Sequence, residues 1–148
     1  MRIVLDSNVL ARAARPVLGP AREVLIRCTE EPHVLLLSAF IISELRRVMG
    51  YERVRKMHGM DDGGIERYVL DVESAASIVV IPVTSQEAIV VHDPKDDPIV
   101  HTAVAGAAEV LCTRDRHLYH SAVTEYCRVR GIEVLDDIAL LSRLRASK

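Results

Sequence analysis

Short apolar runs closed by polar or turn-forming residues alternate along this chain with longer segments whose apolar positions recur at helical spacing. The first run, Arg2–Leu5, is rich in β-branched residues and stops at Asp6-Ser7-Asn8, which predicts a short buried strand. A helical segment follows, is interrupted at Pro16–Pro20, and resumes as Ala21–Thr29. His33–Ser38 reads as the second strand, and Phe40–Met49 as a helix with Ile41, Leu45, Val48 and Met49 on one face. Gly50 and the polar stretch Tyr51–Gly64 suggest a helical extension and a loop. Ile65–Ser77 is an amphipathic helix and Ile78–Val83 a third strand, with Pro82 at its edge.

Asp97-Pro98 makes a strong helix start, an aspartate N-cap followed by proline at the first helical position, and the helix runs to about Ala108. Val110–Thr113 is a fourth strand, Ser121–Arg130 a helix closed by Gly131, Ile132–Leu135 a fifth strand, and Asp136–Leu144 a final helix. Strands alternating with helices at these spacings predict an α/β three-layer sandwich around a mostly parallel five-stranded sheet, Rossmann-like in plan. With no repeat, low-complexity tract or long linker, residues 1–148 read as a single domain.

Four acids recur after these apolar segments. Asp6 is the first residue past strand one, Glu44 lies six residues past Ser38, Asp97 opens a helix, and Asp115 stands two residues past strand four. In parallel α/β sheets ligands collect beyond the carboxyl ends of the strands, so all four carboxylates are expected at one sheet edge. Each has an ordinary alternative: Asp6 or Asn8 as a helix cap, Asp97 as a cap before Pro98, Glu44 as a surface acid paired with Arg47, Asp115 as a turn residue. Together they are harder to dismiss, because two carboxylates about 4 Å apart repel by up to about 4 kcal/mol at an effective dielectric near 20. A hard dication relieves that repulsion, and all-oxygen ligation selects Mg²⁺ or Mn²⁺ over zinc. Such ions cleave phosphodiesters by activating water and stabilising the departing oxyanion. Thr113 and Asn8 are candidates to orient water or phosphate by hydrogen bonding.

Charge bears on the substrate. Nineteen Lys and Arg face 21 Asp and Glu; with four acids set aside as ligands, 17 remain and the balance turns from −2 to +2. Arginines cluster near the site elements, Arg12 among them, and their planar forks suit phosphate oxygens. Five aromatics are too few for a base-stacking platform, so backbone and shape contacts are expected to dominate. The three cysteines, Cys28, Cys112 and Cys127, form no C-x-x-C pair, and no apolar leader precedes Asp6; the expectation is a cytoplasmic, reduced protein. His117 with His120, or Asp97 with His101, lacks a third nitrogen or sulfur donor for a zinc site.

The segments Ile3-Val4-Leu5-Asp6-Ser7-Asn8-Val9-Leu10, Ser43-Glu44-Leu45, Asp93-Pro94-Lys95-Asp96-Asp97-Pro98-Ile99-Val100 and Thr113-Arg114-Asp115-Arg116-His117-Leu118 resemble, in order and with fitting gaps, PIN-domain ribonucleases. The small prokaryotic toxins of toxin–antitoxin pairs, VapC-type proteins among them, are the branch most alike. The resemblance spans Arg2 to about Leu144. It implies a PIN-like fold and a Mg²⁺- or Mn²⁺-dependent endoribonuclease acting on RNA, often a homodimer, inhibited by an antitoxin protein. It supports Asp6, Glu44, Asp97 and Asp115 as the acidic set, with Asp96 and Asp93 as rivals to Asp97. Arg114 stands where many relatives carry glycine, a cation placed to touch RNA or pair with an acid. A haloacid-dehalogenase-like phosphatase needs a second aspartate two residues past the first, where this chain has Asn8. A receiver module lacks its paired acids and late lysine. A catalytically silent PIN module for nucleic-acid or protein docking is the remaining alternative.

Overall fold

Five strands form one sheet in the order β3-β2-β1-β4-β5, every neighbouring pair parallel. The structure is a computed structural model and describes residues 1–82, 89 and 97–147. The strands are β1 (Arg2–Leu5), β2 (Val34–Ser38), β3 (Ser77–Val79), β4 (Val110–Cys112) and β5 (Glu133–Leu135). β1 is central, and Ile3, Val4 and Leu5 are fully buried, as an unbroken apolar run on a sheet covered on both faces should be. Its register sets Val4 between Leu36 of β2 and Leu111 of β4.

The helices among the described residues are α1 (Ser7–Ala13), α2 (Pro20–Cys28), α3 (Ala39–Met49), α4 (Glu52–His58), α5 (Asp62–Ala75), α6 (Asp97–Ala105), α7 (Ser121–Arg128) and α8 (Asp137–Ala146). A single 3₁₀ turn, Arg116–Tyr119, follows β4. α1 packs on α2 and α3, α3 on α5, and α8 returns to lie on α2, whereas α6 packs across β1, β2 and β4. Right-handed crossovers account for the division: units leading away from β1 in opposite directions place their helices on opposite faces. None of the described helices is long and apolar enough to cross a membrane.

Most predicted elements are present within a residue or two, α6 ends at Ala105 rather than about Ala108, and three other departures have physical causes. β3 is Ser77–Val79 rather than Ile78–Val83, because its partner β2 ends at Ser38, paired with Val79, where α3 begins; Val83 lies outside the described residues. α5 starts at Asp62 rather than Ile65: Asp61 Oδ1 accepts the Gly64 amide at 2.8 Å, and this cap carries the helix through Gly63 and Gly64. The polar stretch after Gly50 contains a true helix, α4, which ends at Gly59 with φ +68°, a conformation that suits glycine. His58 locks that end, because its Nδ1 accepts the Met60 amide at 2.9 Å, which leaves Nε2–H to donate to the Met49 carbonyl at 3.0 Å.

Gly106, just past α6, sets the distance between that helix and the sheet. A Cβ there would stand 2.9 Å from Val79 Cγ2 and 3.0 Å from Leu36 Cδ1, inside contact distance of both β3 and β2. Its carbonyl also accepts Arg2 Nε and Nη2 at 3.0 and 2.9 Å. Gly106→Ala should therefore destabilise the fold by about 1–3 kcal/mol, read as a lowered urea midpoint. An unchanged midpoint would mean that α6 can slide along the sheet.

Candidate functional site

Strand order reverses at β1: the chain leaves it toward β2 on one side and later adds β4 on the other. The carboxyl ends of β1 and β4 therefore flank the crevice where such sheets bind ligands. Asp6 stands at that point. Its amide donates to the Cys112 carbonyl at 2.9 Å, continuing the ladder, and its side chain caps α1 by accepting the Ser7 amide on Oδ1 at 2.7 Å. Oδ2 accepts the Thr113 hydroxyl at 2.7 Å and Asn8 Nδ2 at 3.4 Å. The capping role weighed from sequence is real, and it coexists with a carboxylate that is only 2% exposed.

Burial pushes the Asp6 carboxyl up from an ordinary 3.8 to about 6; hydrogen bonds from Thr113 and Ser7 pull it down, and the charges of Asp115 and Glu44 push it up. Three of the four expected acids thus share one electrostatic environment. Asp115 is fixed through Thr113, whose Oγ1 accepts the Asp115 amide at 3.0 Å, and it caps the 3₁₀ turn by accepting the His117 amide at 2.9 Å. Glu44 arrives on α3, which begins at the Ser38 cap at the end of β2. The ordinary pairing also exists: Arg47 Nη2 lies 2.9 Å from Glu44 Oε2.

Asp97 is the first residue of α6 rather than the residue before it, and its Oδ1 accepts the Ile89 amide at 3.1 Å. Pro98 lines a shallow depression with Phe40, Ser43, Glu44 and Arg47, so the start of α6 adjoins Glu44. Thr102 holds it there, donating to Pro98 O at 2.7 Å and lying 2.8 Å from Ser38 Oγ. Asp96 and its rival Asp93 lie outside the described residues.

Asn8 lies between the acids and the arginines. Its Nδ2 reaches Asp6, and its Oδ1 accepts the Arg114 amide at 3.2 Å. Arg12 and Arg114, both half-exposed, converge on a residue that the sequence reading passed over, Asp137. Arg114 Nη1 donates to Asp137 Oδ1 at 2.6 Å, and Arg12 Nε stands 3.9 Å from Oδ2. Asp137 is fully buried at the start of α8, behind Asp136, which caps the helix. The signal was available, since Asp136-Asp137 follows β5 as Asp6 follows β1.

Among the described residues, the crevice offers carboxylate, hydroxyl and amide oxygens, and the charges that weigh most on Asp6 are those of two further acids. Both features fit a hard dication. Among the described residues, no three His, Cys, Asp or Glu stand close enough to make a ready-formed cage. The thiols offer no nucleophile, because burial pushes Cys28 up to about 12, Cys127 up to about 11, and Cys112 up as well.

The Asp6 shift has a definite sign. Below pH 3.8 its carboxyl is protonated in folded and unfolded chain alike, and the stability present there is lost as pH rises through about 6 and the fold must hold a buried anion. The loss is about 3 kcal/mol. In EDTA, urea unfolding of the wild type should therefore fall relative to Asp6→Asn between pH 4 and 7 by up to about that amount. Parallel pH profiles for the two proteins would mean that the Asp6 charge is compensated by the protein itself.

This geometry agrees with what the chain is similar to. No curated protein matches it. Among solved structures, the crystal structure of PAE2754 from Pyrobaculum aerophilum superposes with a TM-score of 0.66 at 19% identity, covering 99% of this chain and 97% of that one. At that identity the likeness is one of fold. PIN domains are generally nucleases and generally use divalent metal ions. The family model for the PIN domain matches residues 2–117, well over half of the 148, and the chain belongs to the PIN-domain family.

Proposed function

We propose that this protein is a Mg²⁺- or Mn²⁺-dependent endoribonuclease and the toxin half of a toxin–antitoxin pair. The observation that carries the reading is the buried Asp6 carboxylate, at the reversal point of the sheet, under the repulsion of Asp115 and Glu44. In this reading Asp6, Glu44, Asp97 and Asp115 hold the metal. When bound, the ion supplies an activated water and stabilises the departing oxyanion.

The chain's own residues then have separable tasks. Thr113 fixes the rotamer of Asp6 through Oδ2 and, through the Asp115 amide, the approach of the second acid. Asn8 ties Asp6 to the backbone of Arg114, which keeps the cationic rim in register with the acids. Glu44 and Asp97 are today engaged by Arg47 and the Ile89 amide, and each contact is an exposed or half-buried one that a stronger cation can displace. The arginines at the rim meet the RNA backbone. An antitoxin protein and a second copy of the chain complete the assembly in this proposal.

Purified protein incubated with single-stranded RNA should cleave it with Mn²⁺ or Mg²⁺ and not with EDTA. Asp6→Asn and Asp97→Asn should reduce cleavage to background, and Thr113→Val should lower metal affinity or activity by about 10–100-fold. Cleavage undiminished in either aspartate variant sinks the assignment. Calorimetric Mn²⁺ binding without turnover would instead favour a silent docking module. For the toxin role, expression should arrest growth, and co-expression of the protein encoded next to it should relieve the arrest.

A further inference from the structure

A buried aspartate shared by two arginines stands beside the acidic crevice, and the metal chemistry makes no use of it. Asp137 has no exposed surface, yet its partners Arg12 and Arg114 keep about a third of their side chains in solvent, 37% in each case. Burying a carboxylate is costly, and pairing it with exposed guanidiniums is a poor return in stability. An exposed aspartate would neutralise a surface arginine as well. What burial adds is a fixed point.

The two arginines are held unequally. Arg114 donates Nη1 to Oδ1 at 2.6 Å. Arg12 Nε and Asp137 Oδ2 face each other at 3.9 Å, both buried and neither hydrogen-bonded. Among the described residues, no hydrogen bond engages the terminal nitrogens of Arg12, so charge aims its fork and leaves it able to bind. Both guanidiniums lean on the one buried carboxylate, with the Asp136 charge also acting on Arg114, so the rim is cationic relative to the acids of the pocket beside it, the contrast that an anionic chain follows. Their placement is tied to the crevice: Asn8 and Arg12 share a face of α1 at i,i+4 spacing, and Asn8 touches both Asp6 and the Arg114 backbone.

We propose that Asp137 is a positioning residue for RNA: its buried carboxylate holds Arg114 and Arg12 as a paired cradle for a backbone phosphate of the strand entering the carboxylate pocket. The inference rests on the RNA reading above and extends it to the opposite side of the site. It makes a prediction opposite in sign to simple electrostatics. Removing the Asp137 charge makes the surface more positive, yet it should weaken RNA binding, because the forks lose their anchor.

The test uses the full chain in an Asp6→Asn background, without metal, binding a short fluorescent single-stranded RNA across a salt series. Arg12→Ala and Arg114→Ala should each weaken binding and flatten the salt slope by about 0.7, the value for one phosphate contact on a single strand. Asp137→Asn should also weaken binding and flatten the slope, and adding it to Arg114→Ala should cost little more than Arg114→Ala alone. Binding by Asp137→Asn that is as tight or tighter, with the slope unchanged, overturns the proposal.

Should Asp137→Asn fail to fold by circular dichroism, the Arg12→Lys/Arg114→Lys double variant decides. It keeps both charges and loses both forks, so unchanged binding overturns the cradle and weakened binding supports it. Cleavage by the unaltered chain with Mn²⁺ is scored separately. RNA bound but uncut defeats the nuclease reading and leaves the anchor standing. RNA cut with Asp137→Asn binding unchanged defeats the anchor alone. No RNA binding by the background protein defeats the anchor, and the cleavage assay alone then decides the nuclease reading.

Discussion

A single negative charge, placed where water can barely reach it, organises this molecule. β1 is covered on both faces, so the residue that ends it emerges in the interior rather than at the surface, and that residue is an aspartate. The fold meets its hydrogen-bonding needs with the Ser7 amide, the Thr113 hydroxyl and the Asn8 amide nitrogen. Among the described residues no cation pairs with it, and the charges of two further acids bear on it. A sequence shaped only for stability would replace such a residue, since a buried, hydrogen-bonded but uncompensated anion is among the less favourable things a core can hold. In the metal-dependent reading proposed above, the missing charge comes from outside the chain.

The cationic side of the crevice follows a different rule. Arg12 and Arg114 have their counter-charge within the fold, in Asp137, and so do not collapse onto the acids a few residues away. A free arginine beside Asp6 would neutralise it and close the site. Giving the arginines a dedicated carboxylate keeps the two signs apart. The same separation explains why Arg114, next to Thr113 in sequence, points its guanidinium at α8 while its backbone amide serves Asn8.

The order of elements was legible because a parallel sheet writes itself plainly: Ile3-Val4-Leu5 and Leu35-Leu36-Leu37 are unbroken apolar runs, and the intervening helices carry their own period. Asp6 was legible for the same reason, being the first polar residue after such a run, and Asp115 because it stands two residues past another. Glu44 needed the further knowledge that α3 starts at Ala39, which the capping side chain of Ser38 supplies. Asp137 escaped because its partners are distant in sequence: a salt bridge between residues 114 and 137 leaves no periodic trace, and a charged residue at a helix start reads as a cap. The extent of α5 was missed for a local reason, two glycines that argue against a helix that one aspartate cap sustains. The length of β3 depended on where another strand stopped, a property of the pair and not of the segment.

The Ser38–Thr102 contact has mechanical meaning. Two buried hydroxyls 2.8 Å apart fasten the beginning of α3 to the body of α6, and each of these helices carries one acid at its exposed margin. Glu44 and Asp97 are 53 positions apart in the chain, yet they ride on a riveted frame. A displacement of either helix is passed to its neighbour, so whatever grips one of these carboxylates draws the other along with it.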